Sequence, residues 1–294
     1  MLDVRIAPAE LIRGMPATLT VTVTDGSGAV VDPGTVTVTV TRHDGTTLFN
    51  GAASGSGANP RTVSLDASDL AQLDRLTVTA EASAFGEASA VIPVVGAPLF
   101  WVSEARDFDQ GQLADSTRFP DDVLIALRAR IREAFTSVTG RRFVPELVDV
   151  TLDGSGSGLL ILPDVEIRAL RAIWIREVVT WQELDASQLA AVAIAEPGML
   201  VRTNGVWPEG IANVRVRYEA GMERVPLEIR RAALRLAASY MGALSSNLPD
   251  RALTLSDELG TFRLATPGVG GSWFGLPEVD AVLQRYRIRI PGVA

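Results

Sequence analysis

Two stretches near the start of the chain alternate aliphatic residues with threonine. Leu19, Val21 and Val23 interleave with Thr18, Thr20, Thr22 and Thr24, and Val36, Val38 and Val40 with Thr35, Thr37, Thr39 and Thr41. A period of two sends the two sets to opposite faces, so both stretches read as half-buried strands. Asp25-Gly26 and Asp44-Gly45 supply turns, because glycine accepts positive φ. Further strands are expected near residues 2–8, 46–50, 60–66, 75–81 and 88–95, with one helical turn over residues 66–73 crossing between sheets. Short strands at this spacing predict an all-β, Ig-like sandwich for residues 1–96. The Gly/Pro joint Val95-Gly96-Ala97-Pro98 marks its end.

Beyond the joint the pattern changes. Residues 97–119 read as a linker or irregular arm, with Phe100, Trp101 and Phe108 among polar residues. Pro120, Asp121 and Asp122 open a helix and Gly140 closes it. Leu124, Leu127, Ile131, Phe135 and Val138 form its apolar face, with Arg128, Arg130, Arg132 and Glu133 directed elsewhere. Strands are expected over residues 144–152, 159–162, 167–176 and 211–218, and a hairpin over 189–195 and 199–203. Pro226 then opens the clearest helix in the chain, residues 226–244, where Ile229, Ala233, Leu236 and Tyr240 share one face. Ala232, Ala233, Ala237 and Ala238 form a broad strip of small side chains on it. Residues 245–275 are rich in Gly, Pro and Ser and read as a long mobile loop, with a short strand over 262–265. A last helix starts at Pro277. The second domain, residues 120–294, is therefore α+β, with a helical core and a β-region.

Composition narrows the function. The 294 residues are enough for two domains. No apolar run is long enough to span a membrane, and Met1–Ile6 lacks the basic and apolar regions of a secretory signal. With no cysteine there is no disulfide, thiolate or cysteine–metal chemistry. A net charge of −8 argues against tight binding to DNA or to an anionic membrane. All 27 basic residues are arginine, which pairs across interfaces better than lysine.

Three motifs carry a family resemblance. The first is Ala134-Phe135-Thr136-Ser137-Val138-Thr139-Gly140-Arg141, a helix end followed directly by strands. The second is Val214-Arg215-Val216-Arg217-Tyr218-Glu219-Ala220-Gly221 with Val225-Pro226, a strand feeding a turn and an alanine-rich helix. The third is the tail Gly275-Leu276-Pro277-Glu278-Val279-Asp280-Ala281-Val282-Leu283-Gln284-Arg285-Tyr286-Arg287. In their order and spacing, residues 98–294 resemble the head–tail connector (adaptor) proteins of tailed bacteriophages, those of actinobacterial phages in particular. The resemblance implies a structural virion protein, assembled in the host cytoplasm as a ring, with twelve copies expected. The ring would join the portal protein to a tail-side stopper or tail-completion protein and pass double-stranded DNA without sequence-specific binding. It implies no catalysis and no cofactor. Residues 1–96 lie outside that resemblance and are expected at the periphery, against the capsid or collar, and dispensable for assembly. Another virion component, such as a tail-completion protein or an Ig-decorated surface protein binding host glycans, and a carboxylate-based hydrolase remain as other readings.

Other candidate chemistry is sparse. His43, the one histidine, sits in the turn Thr41-Arg42-His43-Asp44-Gly45 and is expected to be exposed. Asp107-Phe108-Asp109 starts like a calcium loop, but Gln112 and Arg118 occupy the positions that need Gly and Glu. Gly154-Ser155-Gly156-Ser157-Gly158 precedes a strand, not the helix that a phosphate cradle needs, and reads as a flexible hairpin turn. Trp174, Trp181 and Trp207 are expected in cores or interfaces. For a ring, the interface candidates are Arg128, Arg132, Arg231 and Arg235 as ion-pairing groups, Ala232 and Ala238 as close-packing positions, and Trp273 and Phe274 as apolar anchors. Exposed ion pairs supply only about 0–1 kcal/mol each, so buried apolar area would have to hold the ring.

Overall fold

A computed structural model describes residues 2–243, 254–257, 260–263 and 273–288. The chain opens with β1 (Asp3–Ala7), β2 (Leu11–Ile12), β3 (Ala17–Thr24), β4 (Thr37–Thr41), β5 (Thr47–Ala52), β6 (Arg61–Leu65), β7 (Asp74–Ala82) and β8 (Gly86–Val95). They form two sheets, β1-β3-β6 and β2-β8-β7-β4-β5. Their aliphatic faces meet in one core: Leu19, Val21 and Val63 come from the first, and Val38, Val40, Leu76, Val78 and Ile92 from the second. The Thr/Val alternation is thus resolved as hydroxyls outward and methyls inward. The short parallel strand β2 escaped the sequence pattern, since two residues carry no period. Residues 66–73 form a turn rather than a helical one; the Asp66 amide is capped by the Asp69 carboxylate.

Next come α1 (Val102–Asp107) and α2 (Asp121–Thr139). Gly140 ends α2 in the left-handed conformation, φ 71°, as a C-terminal glycine commonly does. The segment read as an irregular arm contains α1, whose start is tied by the Glu104 carboxylate accepting from the Trp101 amide at 2.7 Å. Leu99, Phe100, Ala105, Leu113 and Phe119 of this segment are buried in the helical core. Its apolar residues lack helical spacing because they plug one core from a chain that turns repeatedly.

The strands that follow are β9 (Glu146–Gly154), β10 (Leu159–Ile161), β11 (Ile167–Glu177) and β12 (Thr180–Glu183). After the short α3 (Ala186–Ala190) come β13 (Val192–Ala195), β14 (Met199–Arg202) and β15 (Gly210–Ala220). One sheet runs β12-β11-β15-β9 and a smaller one β10-β14-β13. Between them lies a second core of Val148, Leu160, Ile173, Leu200, Trp207, Val214, Val216 and Tyr218. Gly154, at the end of β9, is pinned: its amide donates to Asn213 Oδ1 at 2.7 Å, and a Cβ there would overlap the Pro208 carbonyl. The Gly-Ser turn is further held by the Ser155 and Ser157 hydroxyls, so it is a built turn rather than a flexible one.

The chain ends in α4 (Leu227–Ala243), a hairpin of β16 (Thr254–Asp257) and β17 (Gly260–Arg263), and α5 (Pro277–Tyr286). The rest of the segment read as a mobile loop lies mostly outside the described residues. Helices α2, α4 and α5 pack with α1 around a third core containing Leu124, Ile131, Phe135, Ile229, Leu236, Val279 and Leu283. Small residues make this approach close: Ala233 and Ala237 are fully buried on α4. Tyr240, expected on that face, is 41% exposed, and Met241 takes the buried place in the last turn. Overall the described chain is mainly β with five α-helices, a mixed architecture.

Candidate functional site

Three surfaces stand out: a charge chain between layers, an arginine–tryptophan face, and an apolar hairpin tip. The charge chain starts at Glu10, just before β2. Its buried carboxylate accepts from Arg128 Nε at 2.5 Å and lies 3.5 Å from Arg132 Nε. That second distance is an ion contact rather than a hydrogen bond. Arg128 also donates to the Phe100 carbonyl at 3.0 Å. Arg132 reaches Glu146 at 3.2 Å, Glu146 also pairs with Arg142, and Arg142 donates to Asp164 at 2.7 Å. Tyr218 Oη closes the series on Asp164 at 2.7 Å. Burial and the neighbouring Asp164 charge push the Tyr218 phenol well above its ordinary range. The Arg142 guanidinium is held above its usual value because the charges of Glu146 and Asp164 outweigh its burial.

This chain corrects the expectation for Arg128 and Arg132. They are 3% and 5% exposed, and their guanidiniums are engaged within the chain rather than offered to a neighbour. They are met from the side of the first strands: Glu10, just before β2, faces both guanidiniums, and Arg5 of β1 pairs with Asp122 at the start of α2. Ala232 and Ala238 are likewise buried, at 6% and 4%. Phe274 packs on Phe135 with ring centroids 5.8 Å apart, and Arg287 lies over the Trp273 ring at 5.8 Å. Both aromatics pack against the helical core of their own chain. Arg235 bridges Asp109 at 3.0 Å and Glu278 at 3.2 Å. Arg231 is exposed, with no ion pair among the described residues.

The second surface is the outer face of β12-β11-β15-β9. On β15, Val214, Val216 and Tyr218 point into the core while Arg215 and Arg217 point out. Trp174 is in register with Arg215 and Arg217 with Asp149. The guanidiniums lie 5.1 and 4.7 Å from the Trp174 ring centroid, a cation–π geometry. Both arginines donate to Asp149 at 2.7–3.0 Å. Burial opposes ionisation of Asp149, but these bonds outweigh it and hold its carboxyl below the usual range. The face borders a cleft of about 470 Å³ that reaches His43, Arg75 and Trp181. His43 is not the exposed turn residue expected: its Nδ1 lies 2.5 Å from the fully buried Asp74 carboxylate, and its side chain is 20% exposed. Long-range pairing with β7 draws the turn inward.

At the far end of this sheet, residues 178 and 179 turn β11 into β12. Val178 is 96% and Val179 82% exposed, and nearby Ile211 is 81% exposed. Arg176 donates to the Ile211 carbonyl at 2.9 Å, which joins the hairpin to the start of β15. The sequence reading passed over Glu10, Asp149 and this tip. Asp149 and the two arginines carried a usable signal, polar residues alternating with valines in paired strands. Glu10 carried none.

Among the described residues no group of His, Asp or Glu is placed to hold a metal ion, and no helix is long and apolar enough to cross a membrane. No protein-family model and no curated protein matches the chain. Among the solved structures similar to it are three from gene transfer agent particles. The neck of an empty particle computed with C6 symmetry aligns over 65% of this chain and 91% of that chain, at 16% identity and TM-score 0.42. The neck of a native particle computed with C12 symmetry aligns over 57% and 85%, at 16% identity and TM-score 0.39. The virion of a native particle aligns over 59% and 81%, at 17% identity and TM-score 0.37.

Proposed function

We propose that the protein is a structural component of the neck of a tailed-phage-like particle. In this reading it is a head–tail connector: a homo-oligomeric ring between the portal and the tail-side proteins, with double-stranded DNA passing through. It catalyses nothing. Residues 1–96 form an Ig-like sandwich and residues 120–294 the connector domain. The ring holds twelve copies in this reading.

The observation that carries the reading is the path from β15 into α4. Strand β15 ends at Ala220; Gly221 turns at φ 119° with no room for a Cβ beside the Val144 carbonyl; Pro226 precedes α4; and α5 packs on α4 and α2. That is the strand–turn–helix order of the connector-like motifs, assembled around one core. The test is direct imaging. Negative-stain micrographs of the purified chain should show closed rings with a central channel. A chain that stays monomeric at every concentration tried would overturn it.

A further inference from the structure

We propose that the cleft between the first strands and the outer face of the central sheet is an anion site, built for a phosphomonoester and held by Arg75, Arg215 and Arg217. The site is complete within one copy, so it stands or falls apart from the ring reading.

Charge selects the ligand. The cleft, of about 470 Å³, brings Arg75 of β7 to the face that carries Arg215, Arg217 and Asp149. Arg75 alternates outward between the buried Asp74 and Leu76. Its guanidinium has no partner among the described residues; only its backbone amide is bonded, to the Asp74 carboxylate at 2.7 Å. On the other wall one carboxylate serves two arginines. Arg215 and Arg217 each spend Nε and Nη2 on Asp149, and the Nη1 of each donates to nothing among the described residues. A guanidinium has five N–H donors, so both still offer donors after Asp149 is satisfied. One positive charge is left on this wall and one on Arg75.

The other charges nearby cancel. Arg42 and His43 are both committed to Asp74. Arg176 and Glu183, on the paired edge strands β11 and β12, carry one charge of each sign. In the adjoining hollow beyond Arg75, Arg132 and Arg142 are matched by Glu133 and Glu146. Two uncompensated cations facing one cleft call for a dianion. A phosphomonoester carries about −1.5 to −2 at neutral pH and several acceptor oxygens, and guanidinium–phosphate bonds are charge-assisted and strong. The Thr151 hydroxyl lines the same cleft as a neutral donor. A lone carboxylate leaves one cation unmet. So does each phosphodiester of a DNA duplex, which is also too bulky for a cleft of this volume.

The test is calorimetric titration of the full chain at low ionic strength with inorganic phosphate. A Kd of about 0.1 mM or tighter is expected, weakening as salt is added. Sulfate should compete and acetate should not. Arg75→Ala should weaken phosphate binding at least about tenfold and melt like wild type, because its guanidinium holds nothing in the fold. Asp149→Asn should melt lower and yet bind phosphate at least about threefold tighter, since it leaves a third charge uncompensated. A purely structural role for the two arginines would not produce that split. A nucleoside monophosphate identifies the source. Tighter binding than phosphate, lost in Trp181→Ala, marks a nucleotide site, because Trp181 lines the cleft; equal binding marks a site for the phosphate alone. The proposal is overturned if phosphate binds no better than acetate, if Arg75→Ala binds it like wild type, if Asp149→Asn fails to tighten it, or if a blunt duplex without terminal phosphates displaces it.

Discussion

Asp149 shows how one residue sets the character of a face. It satisfies Arg215 and Arg217 together, and both guanidiniums then lie flat over Trp174. Replacing it with asparagine leaves two cations without a counter-charge and should cost about 1–2 kcal/mol at neutral pH, read as a lower melting temperature. The pH dependence has a definite sign. The Asp149 carboxyl is depressed in the fold from its ordinary value of 3.8, so its contribution is complete above that value and is lost as pH falls through the lower folded value. The wild-type acid limb should therefore be steeper than that of D149N below about pH 4. Equal slopes in thermal melts would show that the two arginines do not hold the carboxylate. Glu10→Gln strikes a drier site. It leaves Arg128 buried without its anion, a loss of about 3 kcal/mol by the usual cost of breaking a buried pair, checked by denaturant unfolding. Neither role is local in sequence: Glu10 and Arg128 are 118 positions apart. The pattern on α2 sets Arg128 and Arg132 apart from the apolar residues, but nothing along the helix says that Glu10 and the first strands cover them.

Elements were legible where one face is wet and the other dry. Strands β3, β4, β7 and β15 announce themselves by alternation, and α2 and α4 by helical spacing and by Pro and Gly at their ends. Those with no such contrast were missed. Strand β12 is exposed throughout, β2 has two residues, and α1 begins without a conventional cap. The small residues of α4 matter for its own packing before they matter for any neighbour. Enlarging Ala232 or Ala238 to leucine should cost about 1–3 kcal/mol by overpacking, so the melting temperature should fall whether or not the chain assembles. An unchanged melt would mean that these positions open outward. The turn into α4 is equally constrained. Gly221→Ala forces a Cβ against the Val144 carbonyl at φ 119°, and should lower the melting temperature or the soluble yield more than any alanine substitution on the exposed face of β12.

For the molecule as a whole, residues 1–96 are tied in rather than appended. Glu10 enters the charge chain, the Gly96 amide donates to the Pro145 carbonyl at 2.8 Å, and Arg5 pairs with Asp122 at 2.9 Å. A chain beginning at residue 97 bares Arg128, Arg132 and one face of α2. It should melt at lower temperature than the full chain, whether or not it still assembles. The order of charges from first strands to central sheet has a mechanical meaning. Glu10, Arg128, Arg132, Glu146, Arg142 and Asp164 include three anions and three cations, a neutral series crossing the plane where two layers meet. Sliding the layers past each other by one side chain would part these pairs and set like charges closer, in a medium too dry to screen them. The protein therefore resists shear between its first strands and its central sheet through its own interior, before any neighbouring copy braces it.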